Sequence, residues 1–184
     1  EKHPATVQEI FARSPEARSF LAVRLASDDE PEATATMLET FRRRIRIAFY
    51  GRGKFPGHGC PHVADARKTV REYRNAAPDS RGALDLMLYF VETGTCFSQE
   101  YGDIDGEYFS SLCTMLDAAV ALIKKSAGRD LYAHFRPRFL ALPRLAKGIG
   151  WCYADHVDDA VAEVETRFGS REGERGAEGQ PSAS

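Results

Sequence analysis

The chain is poor in the signals that commonly announce an activity or a destination. Its 184 residues hold no phosphate loop, dinucleotide fingerprint or glycine-flanked serine elbow, so nucleophilic and nucleotide-dependent catalysis have no motif to stand on. The longest uninterrupted apolar runs, such as residues 86–91, fall far below the ~20 needed to span a bilayer, and no signal-peptide h-region opens the chain. A soluble cytoplasmic protein without membrane contact is the expectation. Glu1 stands where a Met would open a full reading frame, so a trimmed N-terminus is expected as well. Cysteine is scarce and dispersed: Cys60, Cys96, Cys113 and Cys152 bear no relation to the dense frameworks of small secreted scaffolds, and are expected as reduced thiols. Cys96 and Cys113 fall among apolar helical positions, where a free cysteine behaves as a small hydrophobe. Neither sign of charge is in excess, since a net charge of −2 and a pI near 6.3 argue against a general polyanion binder unless the charges are segregated.

What the chain does have is helical periodicity. With 43% apolar residues it can build one compact core, over residues 1–168, followed by a polar tail at 169–184 expected to be disordered. Residues 6–12 read as a short helix, and Ser14-Pro15-Glu16 restarts one with a hydroxyl cap, proline and acid in order. Met37, Phe41, Ile45 and Ala48 form the stripe of a third helix opened by Asp28-Asp29-Glu30-Pro31. The glycines and prolines between Gly51 and Pro61 make a loop. Residues 62–76 give a helix with Val63, Ala66, Val70 and Tyr73 inside and Arg67, Lys68, Arg71 and Arg74 outside. The next, from Pro78-Asp79-Ser80, is apolar around most of its circumference and is the central one, with Gly94 read as its end or a kink and Gly102 as a left-handed stop. Phe109, Leu112, Leu116, Ala119 and Ile123 stripe a long helix that closes near Gly128. Pro137 should kink or split the helix at 131–142, Pro143 should end it, and 151–168 forms the last helix, with Trp151 inside. The fold class is therefore all-α: seven to eight helices packed as irregular antiparallel hairpins. Tetratricopeptide- or HEAT-like packing is the variant of this architecture, although no self-similar period of about 34 or 40 residues recurs.

The order of residues resembles an uncharacterised bacterial family of the domain-of-unknown-function kind. The resemblance rests on RSPEARSFLAVRLA, on FRRRI, on ALDLMLYFVETG followed by YGDIDGEYFSSL, and on IGWCYADHVDDAV, which together span most of residues 10–165. It implies a small helical fold and assigns no catalytic residue. Ala154 stands where that pattern would place a histidine, so the resemblance lends no metal or acid–base role there.

Three constellations could carry chemistry. Glu100, Asp103, Asp105 and Glu107 lie within eight residues, an oxygen-rich corner that suits a hard cation, or a helix N-terminus that Asp103 or Asp105 caps. His58, Cys60 and His62 in the glycine-rich loop, with Cys152 and His156 one helical turn apart, have the donor types of a tetrahedral zinc site, at a spacing that matches no familiar finger. Arg42, Arg43, Arg44, Arg46, Arg52, Lys54, Arg67, Lys68, Arg71 and Arg74 make residues 42–74 basic, whereas residues 79–117 are acidic apart from Arg81. Separate positive and negative flanks are expected, the positive one able to hold phosphates, with arginines neutralised by acidic neighbours as the plainer outcome. The function expected from all this is a non-catalytic module that binds another macromolecule, most simply a protein, in a groove between helical hairpins. Its binding residues would be drawn from Arg42, Arg43, Arg46, Arg52, Lys54, Arg67, Arg71, Tyr101, Asp103, Asp105 and Trp151, with no cofactor. Nucleic-acid binding through residues 42–74 is the alternative, and a metal-dependent hydrolase built on Asp103, Asp105 and histidines is the third.

Overall fold

A computed structural model describes residues 31–52, 61–76, 80–102, 104–126 and 128–169. Among them the chain is all α, with six helices and no strand: α1 (Pro31–Tyr50), α2 (Val63–Ala76), α3 (Ser80–Tyr101), α4 (Gly106–Lys125), α5 (Arg129–Ala146) and α6 (Tyr153–Phe168). The two helices expected before Pro31, the loop at 53–60 with Lys54, His58 and Cys60, and all of the tail but Gly169 lie outside the described residues, as does Asp103.

Short connections force each helix to run back along its predecessor. Contacts show the directions: Ala48 and Phe41 of α1 meet, in reverse order, His62 just before α2 and Tyr73 near its end, Tyr108 at the start of α4 meets Gly94 in the second half of α3, and Tyr132 at the start of α5 meets Glu165 at the end of α6. Three antiparallel hairpins result. Helix α3 sits centrally, in contact with α1, α2, α4 and α5, and Thr95 on it accepts or donates a buried 2.6 Å bond with Tyr153 at the start of α6. The sequence of α3 explains that position, because Leu84, Leu86, Met87, Leu88, Phe90 and Val91 cover most of its circumference, and all six are fully buried. Apolar side chains from all six helices join it in one cluster. Helix α4 is long and apolar enough to cross a membrane by length and composition, but its stripe of Phe109, Leu112, Leu116, Ala119 and Ile123 is buried in this core.

Two expected breaks are absent. Gly94 does not end α3, which continues to Tyr101. The glycine serves close packing instead: a Cβ at that position would overlap Leu112 of α4 and stand 3.1 Å from the Phe49 ring of α1. Helix α5 likewise runs through both Pro137 and Pro143. Each proline removes one amide donor, yet Phe135, Phe139 and Leu142 are buried on one side of that helix and Arg136 and Arg138 are tied to Glu165, Asp85 and Glu92, so tertiary contacts hold the helix across the gaps. Gly102 does act as the left-handed stop of α3, with φ +87°. Asp105 caps α4, its carboxylate accepting the Tyr108 amide at 2.7 Å, while Cys152 precedes α6 rather than lying in its body.

The charges are interleaved where separate flanks were expected. Asp85, only 7% exposed, accepts two bonds from Arg42 of α1 at 2.9 and 2.6 Å and one from Arg138 of α5 at 2.8 Å. Arg138 also grips Glu92 at 2.7 and 2.6 Å. The Arg42 guanidinium is held above its ordinary pKa chiefly by its bond to Asp85; for Arg138, burial pulls downward and the Glu92 and Asp85 carboxylates more than offset it. Basic and acidic stretches distant in sequence thus neutralise each other across three helices.

Two substitutions test this account. Asp85→Ala leaves two half-buried guanidiniums without their shared carboxylate and is expected to lower stability by about 3 kcal/mol, measured by urea denaturation. Gly94→Ala gains up to ~1 kcal/mol of helix propensity and loses ~1–3 kcal/mol to overpacking against Leu112 and Phe49, so a net loss of about 1 kcal/mol is expected in the same measurement; a gain would show that α1 and α4 yield freely.

Candidate functional site

Helices α1 and α3 lie parallel, which follows from the pairing of Arg42 with Asp85 near their middle and start and of Tyr50 with Phe97 and Tyr101 near their ends. On α1, Arg43, Arg46, Ile47 and Tyr50 recur at three- and four-residue spacing and so share one face. On α3, Tyr89, Glu92, Thr93, Cys96 and Glu100 do the same. Parallel packing turns both stripes the same way, and the furrow between them is a cleft of about 1060 Å³ lined also by Gly51, Arg52 and Tyr101.

The floor is aromatic and braced from below. Phe97, almost fully buried, holds the Tyr101 ring at 4.7 Å and the Tyr50 ring at 5.2 Å, and itself packs on Phe49 in the core. Tyr50 and Tyr101 are therefore fixed rings, with Tyr101 still 45% exposed. Burial, followed by the charge of Glu100, pushes the Tyr50 phenol up to about 12, so it is a neutral donor and acceptor at physiological pH. The Cys96 thiol is raised by burial and then by Glu100 and Glu92, the opposite of what a nucleophilic cysteine requires.

The walls are charged, and unevenly. Glu92 is already held by Arg138, and Arg44 by Glu72 at 2.5 Å. Arg43, Arg46 and Arg52 have no carboxylate partner among the described residues, and Glu100 has no ion pair among them. Three unengaged guanidiniums thus stand against one unengaged carboxylate.

The residues singled out in the sequence divide among several places. Arg43, Arg46, Arg52 and Tyr101 meet in the cleft. Arg42 is withdrawn into the bond with Asp85. Arg67 and Arg71 are exposed on α2, and Arg67 lines a second groove of about 590 Å³ between α2 and α4, which also brings His62 near the acidic corner of Asp105 and Glu107. There Asp105 is occupied as the α4 cap. Trp151, expected inside, is 62% exposed; it lies over Gly106, whose Cβ would stand 3.6 Å from the indole, because Trp151 and Cys152 both adopt left-handed backbone (φ 59° and 57°) that carries the side chain off the α6 axis. Cys152 and His156 are not a matched pair of ligands: Cys152 is in that turn, and the His156 Nε2 lies 2.9 Å from Asp117 of α4. Among the described residues no three histidine, cysteine or carboxylate side chains converge as a metal site. Tyr50, Tyr89, Cys96 and Glu100 belong to the cleft and were missed as a group; the signal was their spacing, which reads equally as half of a core stripe until α1 is known to lie beside α3.

Compared with protein-family models, with curated proteins and with solved structures, the chain matches none.

The coupling inside the cleft is measurable. The Tyr50 ring-carbon resonance should titrate near pH 12 rather than at the ordinary tyrosine value near 10. Glu100→Gln should bring that midpoint down, since an anion beside a phenol opposes its ionisation; an unmoved midpoint would place Glu100 away from Tyr50.

Proposed function

We propose that the chain is a non-catalytic helical module that holds a segment of another protein in the cleft between α1 and α3, in the cytoplasm. The observation that carries this reading is the pairing of rigid, partly exposed tyrosines with arginines that no carboxylate of the described fold engages. Aromatic rings with few rotatable bonds and arginine are the side chains that dominate protein interfaces, because they bury much area for little lost freedom. Stacked hairpins add to it. Equivalent helices side by side present a furrow along their length, the use that repeat arrays make of theirs, and tetratricopeptide- or HEAT-like packing belongs to this reading. The raised thiol of Cys96 supports binding over catalysis in the cleft.

One observation favours a second reading. Arg67, Arg71 and Arg74 are exposed on α2 at one-turn spacing, a basic strip that phosphates could follow. Against it, Arg42 and Arg44 are bonded to carboxylates, and Arg43, Arg46 and Arg52 line one groove while Arg67 lines another.

Capture from nuclease-treated and untreated lysate separates the two. A protein partner retained by the wild-type chain after nuclease, and lost by Tyr101→Ala with Arg46→Glu, is the expected result. Partners released by nuclease, or retained equally by the double variant, would overturn the cleft reading.

A further inference from the structure

We infer that the segment received by the cleft is acidic, an inference that rests on the cleft reading above. Arg43 and Arg46 stand one turn apart on the same side of α1, and Arg52 follows the left-handed Gly51 just beyond the end of α1. Their guanidiniums frame the tyrosine floor along the length of α1. Within the described fold the neighbouring acids are already committed: Asp85 to Arg42 and Arg138, Glu92 to Arg138, Glu72 to Arg44. Among the described residues the buried cations are therefore satisfied and three are left at the cleft rim, where each offers a planar pair of N–H donors suited to a carboxylate. Glu100 sets the polarity of the opposite wall and repels a carboxylate placed on the α3 side. A ligand complementary to both walls carries carboxylates along the edge that faces α1 and an apolar or aromatic residue over Tyr50 and Tyr101. A phosphate chain fits less well, because Glu100 stands beside the same rings.

Selection of short random peptides displayed on phage, panned against the full chain and against its Arg43→Ala/Arg46→Ala/Arg52→Ala variant, tests this. These arginines make no ion pair among the described residues, so the variant should keep the wild-type melting temperature. The expected result is enrichment of Asp and Glu over the input library and a footprint of the selected peptides on α1 and α3 in amide chemical shifts. Affinity should fall at least about tenfold both on the triple variant and when the peptide acids are replaced by amides. Neutral or basic peptides mapped to the cleft would overturn the acidic inference and leave the cleft reading standing. No enrichment, or a footprint elsewhere, would overturn both. Displacement of the peptides by single-stranded RNA with the same arginine dependence would assign the cleft to phosphate instead. Acidic peptides captured only by an Asp28→Lys/Asp29→Lys/Glu30→Lys chain would show that the chain's own acidic stretch is the occupant.

Discussion

Asp85 is a carboxylate taken almost wholly out of water at the point where α1, α3 and α5 come together, and Arg42 and Arg138 converge on it from either side. Removing such a charge from water costs several kcal/mol, which only well-placed donors offset. Any slip of α1 or α5 along α3 would separate a guanidinium from its acceptor and leave that cost uncompensated. The clamp therefore acts on register more than on net stability, and the register of α1 against α3 is what places Tyr50 beside Tyr101 and Arg46 over the cleft.

Packing cooperates with the clamp from the other side of α3. Gly94 lets Phe49 and Leu112 approach the helix backbone, its carbonyl accepts the buried Tyr108 hydroxyl at 2.6 Å, and the next residue, Thr95, bonds Tyr153. In consecutive positions α3 is joined to α1, α4 and α6. Near the same end of the helix, Phe97 carries the ring contacts outward to the cleft floor. The aromatic floor is thus an extension of the core, which keeps its rings ordered before any ligand arrives and lowers the entropy lost on binding.

Much of the helical plan was legible in the residues. The inner faces of α2 and α4 were read correctly from three- and four-residue spacing, and so was the left-handed stop at Gly102, because these depend on local periodicity and backbone sterics. Gly94 and Pro143 do not end their helices and Pro137 does not split its own, since their local preference for a break yields to contacts made by residues far away in the chain. Trp151 was misplaced for the opposite reason: an apolar side chain implies burial only if the backbone aims it inward, and two successive left-handed residues do not. The candidate site was legible in fragments. Arg43, Arg46, Arg52 and Tyr101 were named, but as parts of a basic stretch and an acidic corner, not of one cleft.

The amino-acid sequence by itself determined that the described chain is helical, which side of most helices is apolar, and that α3 lies at the centre, because periodicity and composition act over neighbouring residues. Only the tertiary structure decided which charges would be neutralised. Coulombic pairing depends on separation in space, and Arg42 meets Asp85 at a sequence separation of 43, a distance along the chain that no local pattern encodes. The cleft has the same origin: two half-stripes of ordinary appearance become one surface when the helices that carry them lie parallel.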